Sequence, residues 1–598
     1  MTTSFIHPAL IMIIGALILP FIRGPFRKPY LFIVPLLTFL DVLYLSGNHG
    51  TYGVVSFLSG DWTLTFGRVD SLASVFAFIM SLMAMIGTIY GLHVEDEWQH
   101  IAAWFYVAGS LGAIYAGDYL VLFLFWEMMA FASTFLIWFN KSADSMAAGL
   151  RYLLVHTFGG VILLLGFVLR YQATGDLAFT QLDVQSPQLY TYLIMVGLML
   201  NAAVVPLHSW LPDAYSKATI AGSVFMCAFT TKTAIYTLAR TCAGFDILIV
   251  LGVVMAIYGI IYAAMENDIR RLLGWEIISQ VGYMVTGVGI GSALAINGAC
   301  AHAFAHILYK GLLFMGAGAI IHMTGKSKFT DLGGLYKKMP GTMIFMIIGG
   351  LSVSGFPFLS GFVTKSMIIA ASFEEHILWA GFLLTLVSAG TFMVAGLRLP
   401  YLLFFGERQG EEATYSKESY SPPWNMQMAM VIGAAFCVII GCYTPFLYDM
   451  LPNAGVHFNP YNSYHLSETL QIIGFTALGF FFLKRFIGAR PTISLDLDWF
   501  YRKGGQGFLW LAKNPIQWFD TAWSTAYRVV GLNSLMIISN FWSWFDWHGI
   551  DGVVDGIARC VRAIGRRVAL VLQRGQIQQT IYYTATCAAI LLFATIWF

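Results

Sequence analysis

Long apolar runs, each closed by a short polar or charged stretch, recur along almost the whole chain. Runs of about 17 to 25 residues, enough to cross a hydrocarbon core of about 30 Å, fall near 5–22, 30–46, 71–93, 101–117, 119–139, 146–170, 191–210, 218–241, 246–265, 272–292, 295–322, 342–372, 379–404, 426–446, 467–484 and 577–597. A backbone surrounded by lipid must satisfy its hydrogen bonds within its own segment, so the pattern predicts an all-α polytopic membrane protein of about 14–16 transmembrane helices. Residues 485–576 depart from it. LDLDWFYRK, WLAKNPIQWFDTAWSTAYRVV and WFDWHGIDGVVDGIARCVRAIGRRVALVLQ interleave charges with Trp and aliphatic residues. That mixture predicts a lateral amphipathic helix lying at the membrane surface, followed by an anchoring helix over 577–598.

Composition sharpens this reading. The chain has 598 residues, 58% of them hydrophobic and only 11% charged, where a soluble chain carries roughly a quarter charged residues. The net charge of +2 points away from nucleic acid as a partner. The cysteines are scattered, with no CxxC and no Cys/His cluster, so they read as small packing residues rather than a metal or disulfide site. The first run has no basic region before it and reads as a retained helix rather than a cleaved signal. Arg23, Arg27, Lys28, Arg270, Arg271, Lys326, Lys328, Lys337 and Lys338 fall in alternate loops, and the intervening loops hold little beyond Arg68 and Arg240. By the preference of basic loops for the cytoplasm, both termini are expected on the periplasmic or extracellular face of a cell (inner) membrane.

Unusual residues recur at one spacing. Trp126-Glu127 and Trp275-Glu276 are offset by 149 positions, His156 and His306 by 150, and the segments PLHSWLPDAYSK and GFPFLSGFVTK, ending at Lys217 and Lys365, by 148. This predicts two successive five-helix repeats. An odd number of helices inverts the second against the first, which together with interrupted helices is a transporter signature. The interruptions are expected in helix 7, at Pro206/Pro212, and in helix 12, at Gly355-Phe356-Pro357. The predicted organisation is 1–98 (N-terminal helices), 99–245 and 246–405 (the two repeats), 406–484 (further helices), 485–576 (lateral segment) and 577–598 (anchor).

Several ionisable residues lie inside these spans, where a charge costs at least about 2.5–3.5 kcal/mol on insertion scales. Glu127 lies in VLFLFWEMMAFASTFLIWF and Lys232 in FMCAFTTKTAIYTLA. His302, His306 and Lys310, spaced i, i+4, i+8, share one helix face. Lys365 follows the expected break in helix 12. Groups that can be charged or neutral, aligned across the membrane, form a proton relay: histidine titrates near neutrality, and a lysine held away from water gives up its proton more readily than one in solution. His156, Asn201, His208, Lys217 and Glu276 are further contributors. A membrane histidine can also serve as a helix-packing hydrogen-bonder, and a lysine near a helix end can snorkel.

These motifs resemble the antiporter-like membrane subunits shared by respiratory complex I, Mrp-type Na⁺/H⁺ antiporters (their A and D subunits) and membrane-bound hydrogenases. The resemblance rests on VPLHSWLPDAYSKATIAGSV, TTKTAIY, NDIRRLLGWEIISQVGYM, AHAFAHILYKGLLFMGAGAII, DLGGLYKKMP and GFPFLSGFVTKS, over roughly residues 100 to 405. LDLDWFY and the stretch beyond it resemble the largest antiporter-like subunit of complex I, whose long lateral helix runs along neighbouring subunits. The resemblance implies that Glu127, Lys232, His302, His306, Lys310 and Lys365 stand at the family's helix-five glutamate, helix-eight lysine, helix-eleven histidines and lysine, and helix-twelve lysine. One position departs: the family usually carries a lysine in helix 7 before PLHxWLPDA, paired with the glutamate, and here that position is Asn201. Glu127 would then pair with Lys232 or a protonated His156, or the first half would bind a cation.

Two functions follow. One is a subunit that moves protons, with Na⁺ as a candidate exchange ion. The other is a scaffold or energy-coupling partner with little transport of its own. The resemblance implies other membrane subunits as partners, and a soluble redox protein or one serving inorganic-carbon uptake. A redox enzyme in its own right is disfavoured. There is no P-loop, no dinucleotide fingerprint and no cysteine set for a cluster, and His302 and His306 on one turn cannot ligate one haem iron from opposite sides. No cofactor, no metal and no catalytic redox site are expected.

Overall fold

The computed structural model describes residues 5–57, 62–407, 420–484, 488–490, 495–572 and 577–597. Each of the apolar runs coincides with a helix or a broken pair of helices. In chain order these are α1 (Pro8–Ile18), α2 (Arg27–Ser46), α3 (Ser71–Gly91), α4 (Glu97–Tyr115), α5 (Tyr119–Trp138), α6 (Ala143–Thr174), α7 (Leu189–Asn201), α8 (Trp210–Lys217), α9 (Ile220–Met226), α10 (Thr230–Thr241), α11 (Asp246–Met265), α12 (Ile269–Ile290), α13 (Ala293–Thr324), α14 (Pro340–Ser354), α15 (Ser360–Glu374), α16 (Leu378–Thr391), α17 (Trp424–Cys442), the single turn α18 (Pro445–Tyr448) and α19 (Ser463–Leu483). α16 runs on through wider turns as far as Phe405. Among the described residues ten helices are long and apolar enough to cross a membrane, and three more apolar helices are shorter.

The expected breaks are present. Helix 7 is interrupted between Asn201 and Trp210, where Ala203 takes a φ of 57°. The Trp210 indole donates across the gap to the Leu200 carbonyl at 3.0 Å. Helix 12 is interrupted between Ser354 and Ser360, where Gly355 takes a φ of 78° that a side chain would resist. A third break is unexpected. The 218–241 run, read as one span, divides at Cys227–Phe229 into α9 and α10. Residues 47–70, left without an element by the hydrophobic pattern, form an antiparallel hairpin of β1 (Gly50–Phe57) and β2 (Trp62–Val69), with Val55 opposite Leu64. Its Thr65 N–H reaches the Asp118 carboxylate at 2.6 Å, at the start of α5.

Two pairs of consecutive helices, α5–α6 and α12–α13, share their local features. Asp118 caps α5 and Asp268 caps α12, each carboxylate accepting from the N–H groups two and three residues on. α6 and α13 each have 32 residues, each ends on a glycine near φ 70° (Gly175 and Gly325), and the isolated bridges Asp118–Ala178 and Asp268–Lys328 recur 150 residues apart. α13 is buried along nearly its whole length and packs against α3, α9, α12, α14, α15 and α17, so His302, His306 and Lys310 sit in the core rather than toward lipid, while His322 in the last turn is exposed.

The chain divides into two compact units, Met1–Leu497 and Asp498–Phe598. In the second, α20 (Asp498–Leu511), α21 (Gln517–Ala526), α22 (Asn533–Phe545) and α23 (Asp551–Leu572) follow one another through single wider turns, including one around Pro515, with no loop between them. At 1.5 Å per residue this helix is about 110 Å long. Its side chains are exposed along its length, and α24 (Ile577–Trp597) follows. The expected lateral segment therefore begins as helix at Asp498. The parts of that prediction at 485–487, 491–494 and 573–576 lie outside the described residues.

Candidate functional site

Most of the buried ionisable residues gather around α13. Lys232, at the start of α10, is fully buried, and its ammonium donates to the Cys227 carbonyl at 2.6 Å. That carbonyl lies at the break between α9 and α10, so the lysine satisfies an acceptor that a continuous helix would have bonded itself. The Tyr106 hydroxyl of α4 accepts from the Thr230 N–H at 2.9 Å and caps the resumed helix.

On α13, Lys310 and Glu276 of α12 form an ion pair at 2.5 Å, both side chains fully buried. His302 shares a hydrogen bond with Thr364 at 2.9 Å and lies 3.3 Å from the Tyr309 hydroxyl. His306 is fully buried, and neither of its ring nitrogens has a hydrogen-bond partner. It lies within electrostatic reach of Lys232, Lys310, His302 and Lys365. Lys365, on α15 just past the break, is buried with its ammonium unbonded, 4.9 Å above the ring of Tyr283. Tyr283 in turn donates to the Leu384 carbonyl and meets Ser388 at 3.0 Å. Lys232, Glu276, Lys310, His306, His302 and Lys365 thus form one buried constellation fed by four helices, α10, α12, α13 and α15.

The first repeat is arranged differently. His156 bonds Asn201 at 2.9 Å. Glu127 lies over Gly160 of α6, where any Cβ would collide with its carboxylate. Glu127 Oε1 is buried without a hydrogen bond, and Glu127 takes part in no ion pair among the described residues. The expected pairing of Glu127 with Lys232 or His156 is not made, because Lys232 is turned to its own helix break and His156 to Asn201. Lys217 also stands apart. It is part-exposed and paired with Asp144 at 3.0 Å, a surface contact rather than a member of the buried set.

His208, in the break of helix 7, is buried with its Nε2 3.3 Å from Asp496. Its ring packs on Trp275, next to Glu276, and on Tyr258, whose hydroxyl donates to Asp496 at 2.7 Å. Sequence reading named neither Tyr283, Tyr309 nor Asp496. The two tyrosines could have been found inside the QVGYM and HILYK motifs, one helical turn or two from a named residue. Asp496 lies in the LDLDWFY motif quoted above, but nothing in that motif points to His208, 288 positions earlier in the chain. Among the described residues no group of His, Cys, Asp and Glu is set to hold a metal ion.

Residues 116–393 match the family described as NADH:quinone oxidoreductase/Mrp antiporter, transmembrane. The D component of a Na⁺/H⁺ antiporter from Alkalihalophilus pseudofirmus is 31% identical over 366 residues, covering 56% of this chain and 74% of that protein. Hydrogenase-4 component B from Escherichia coli is 27% identical over 416 residues, and the chain spans 62% of its length. Among solved structures, a chain of the Mrp complex from Dietzia sp. DQ12-45-1b superposes with a TM-score of 0.66 at 21% identity, covering 78% of this chain and 98% of that one. At that identity the likeness speaks for the fold.

Proposed function

The chain belongs to the NADH:quinone oxidoreductase/Mrp antiporter transmembrane family, and from that premise we propose that it moves protons across a membrane as one subunit of a multi-subunit assembly. The path we assign is the constellation around α13: Lys232 and the Lys310–Glu276 pair load His306, which passes the proton through His302 to Lys365. The observation that carries this reading is His306. A fully buried imidazole with both nitrogens unbonded is costly to keep, and its edge-on contact with the Tyr309 ring, centroids 5.2 Å apart, gives those nitrogens no hydrogen bond. The ring centroids of His302 and His306 are 6.4 Å apart, too far for direct transfer, so a bridging water completes that step. Replacing His306 and Lys365 together by alanine in the intact assembly tests the path. Proton transport that continued at the wild-type rate would sink it.

Within this reading the first repeat does not run a Glu–Lys cycle, because Asn201 cannot hold a proton and Glu127 has no charged partner. The names of the relatives support Na⁺ as a counter-ion and a redox or hydrogenase module as a soluble partner. A carbon-uptake protein would suit the same architecture. Both termini are assigned to the periplasmic face by the basic loops, and the 498–572 helix to a lateral position along neighbouring subunits.

A second reading is favoured by Asn201 and by the exposed 498–572 helix: a scaffold that couples a partner to the membrane with little flux of its own. Deleting the chain would then abolish assembly and leave ion flux through the remaining subunits unchanged.

A further inference from the structure

Beside the break of helix 12 lies a cavity of about 40 Å³. Water needs at least about 10–15 Å³ of such space, so two or three molecules fit. Lys365 forms one wall. Ser354, Thr385 and Ser388 supply hydroxyls along it, and His465 and Glu468 of α19 close the far side.

α19 is apolar enough to span the membrane, and most of its surface is exposed. His465, Glu468, Thr469 and Ile472 nevertheless share one stripe, by their i, i+3, i+4, i+7 spacing, and that stripe is the one facing the cavity. A glutamate near a helix start is favoured by the helix dipole. The dipole does not explain why it faces a hydroxyl-lined cavity that ends on an unbonded lysine ammonium. Charged residues in membrane spans turn to water-filled cavities and mark ion paths.

The cavity also has a direction. Tyr420 N–H bonds the Lys338 carbonyl, so α17 starts at the basic 326–338 loop. Its 19 residues carry the chain to the opposite face, where α19 begins.

Resting on the relay reading above, we propose that Glu468, with His465 one turn before it, is the exit group through which Lys365 exchanges protons with that opposite face. An N–H bond of the Lys365 ammonium breaks as an O–H bond forms on a cavity water. That water gives a different proton to the Glu468 carboxylate, and Glu468 releases it to solvent, restoring the carboxylate. One proton moves, no other bond changes, and Lys365 is left as a neutral amine for the relay to recharge. Other ionisable groups near this route among the described residues are Tyr283, Glu276 and Lys310 at the Lys365 end and Glu374 at the His465 end.

The test is proton flux under an imposed potential in proteoliposomes of the purified assembly, with subunit co-purification as the control for folding. Positioned proton donors and acceptors contribute about 10²–10⁴-fold to rates, so Glu468→Gln should lower flux at least tenfold and Glu468→Asp should restore much of it. Ser388→Leu, which fills the cavity without touching a charge, should lower flux as Glu468→Gln does and covers the case in which the glutamine variant fails to assemble. Wild-type flux in Glu468→Gln with flux abolished in Lys365→Ala would overturn the exit assignment and leave the relay standing. Wild-type flux in Lys365→Ala would overturn the relay, and the exit with it.

Discussion

Lys310 Nζ and Glu276 Oε2 lie 2.5 Å apart with both side chains fully buried. Glu127, by contrast, takes part in no ion pair among the described residues. Removing one partner of a buried pair leaves an uncompensated charge and costs about 3–5 kcal/mol. Glu276→Gln and Lys310→Met should each lower the thermal midpoint of the detergent-solubilised chain, and the double variant should recover much of the loss. Additive losses in a double-mutant cycle would mean that the two residues do not act as a pair.

The first repeat should tolerate what the second does not. Glu127 has no charged partner, so Glu127→Gln is expected to change proton flux less than twofold, while Lys365→Ala abolishes it. Asn201→Ala should cost about 1 kcal/mol, the value of the bond His156 loses, with flux maintained. Loss of flux in Glu127→Gln equal to that in Lys365→Ala would return the first repeat to the path.

How far the sequence told this in advance depends on which residues cause each feature. The breaks of helices 7 and 12 were legible because proline removes a helix donor and glycine takes positive φ, at Pro206, Gly355 and Pro357; Pro212, also expected in the break of helix 7, lies instead in the first turn of α8, where a proline leaves no helical bond unmade. The break before Lys232 was not, because CAFTTK contains neither residue. That helix parts where a lysine ammonium takes the Cys227 carbonyl and a tyrosine from another helix caps Thr230. The spacing of His302, His306 and Lys310 placed them on one face, and they share the core as expected. The isolation of Glu127 could not be read, since it depends on where Lys232 and His156 turn in three dimensions. The hairpin at 50–69 was hidden because its apolar and polar residues alternate over stretches too short to register as spans.

Outside the membrane, Asp70 caps α3 and accepts two hydrogen bonds from Arg240, at 2.7 and 2.8 Å. Burial pushes the Asp70 carboxyl up, but the bonds and charge of Arg240 outweigh it and hold the carboxyl below its usual range. A carboxylate depressed in the folded state stabilises above its unfolded pKa, and that stability is lost as pH falls through the folded value. The thermal midpoint should therefore be insensitive to Asp70 ionisation above about pH 5 and fall below about pH 4, near the ordinary aspartate value. Asp70→Asn should start lower at neutral pH and show a shallower acid decline. Parallel curves for the two proteins would exclude the pair as the cause.

The contact of Asp496 with the break of helix 7 tests whether the root of the long helix matters to the path. Asp496 lies two residues before α20, accepts from Tyr258 at 2.7 Å and from its own chain at Leu497, and stands 3.3 Å from His208. His208 packs on Trp275, and Trp275 neighbours Glu276, which holds Lys310. Removing the carboxylate leaves the Tyr258 hydroxyl without its acceptor, a loss of about 1–3 kcal/mol, and takes away the acid beside the buried His208 ring. Asp496→Ala should therefore lower the thermal midpoint and slow proton flux, although it removes no relay residue. Asp496→Asn, which keeps an acceptor for Tyr258, should retain the stability. If the Asn variant is stable and still slow, the negative charge beside His208 is what the path requires. If it is stable and fast, the contact serves only to hold the 495–497 segment against the break of helix 7.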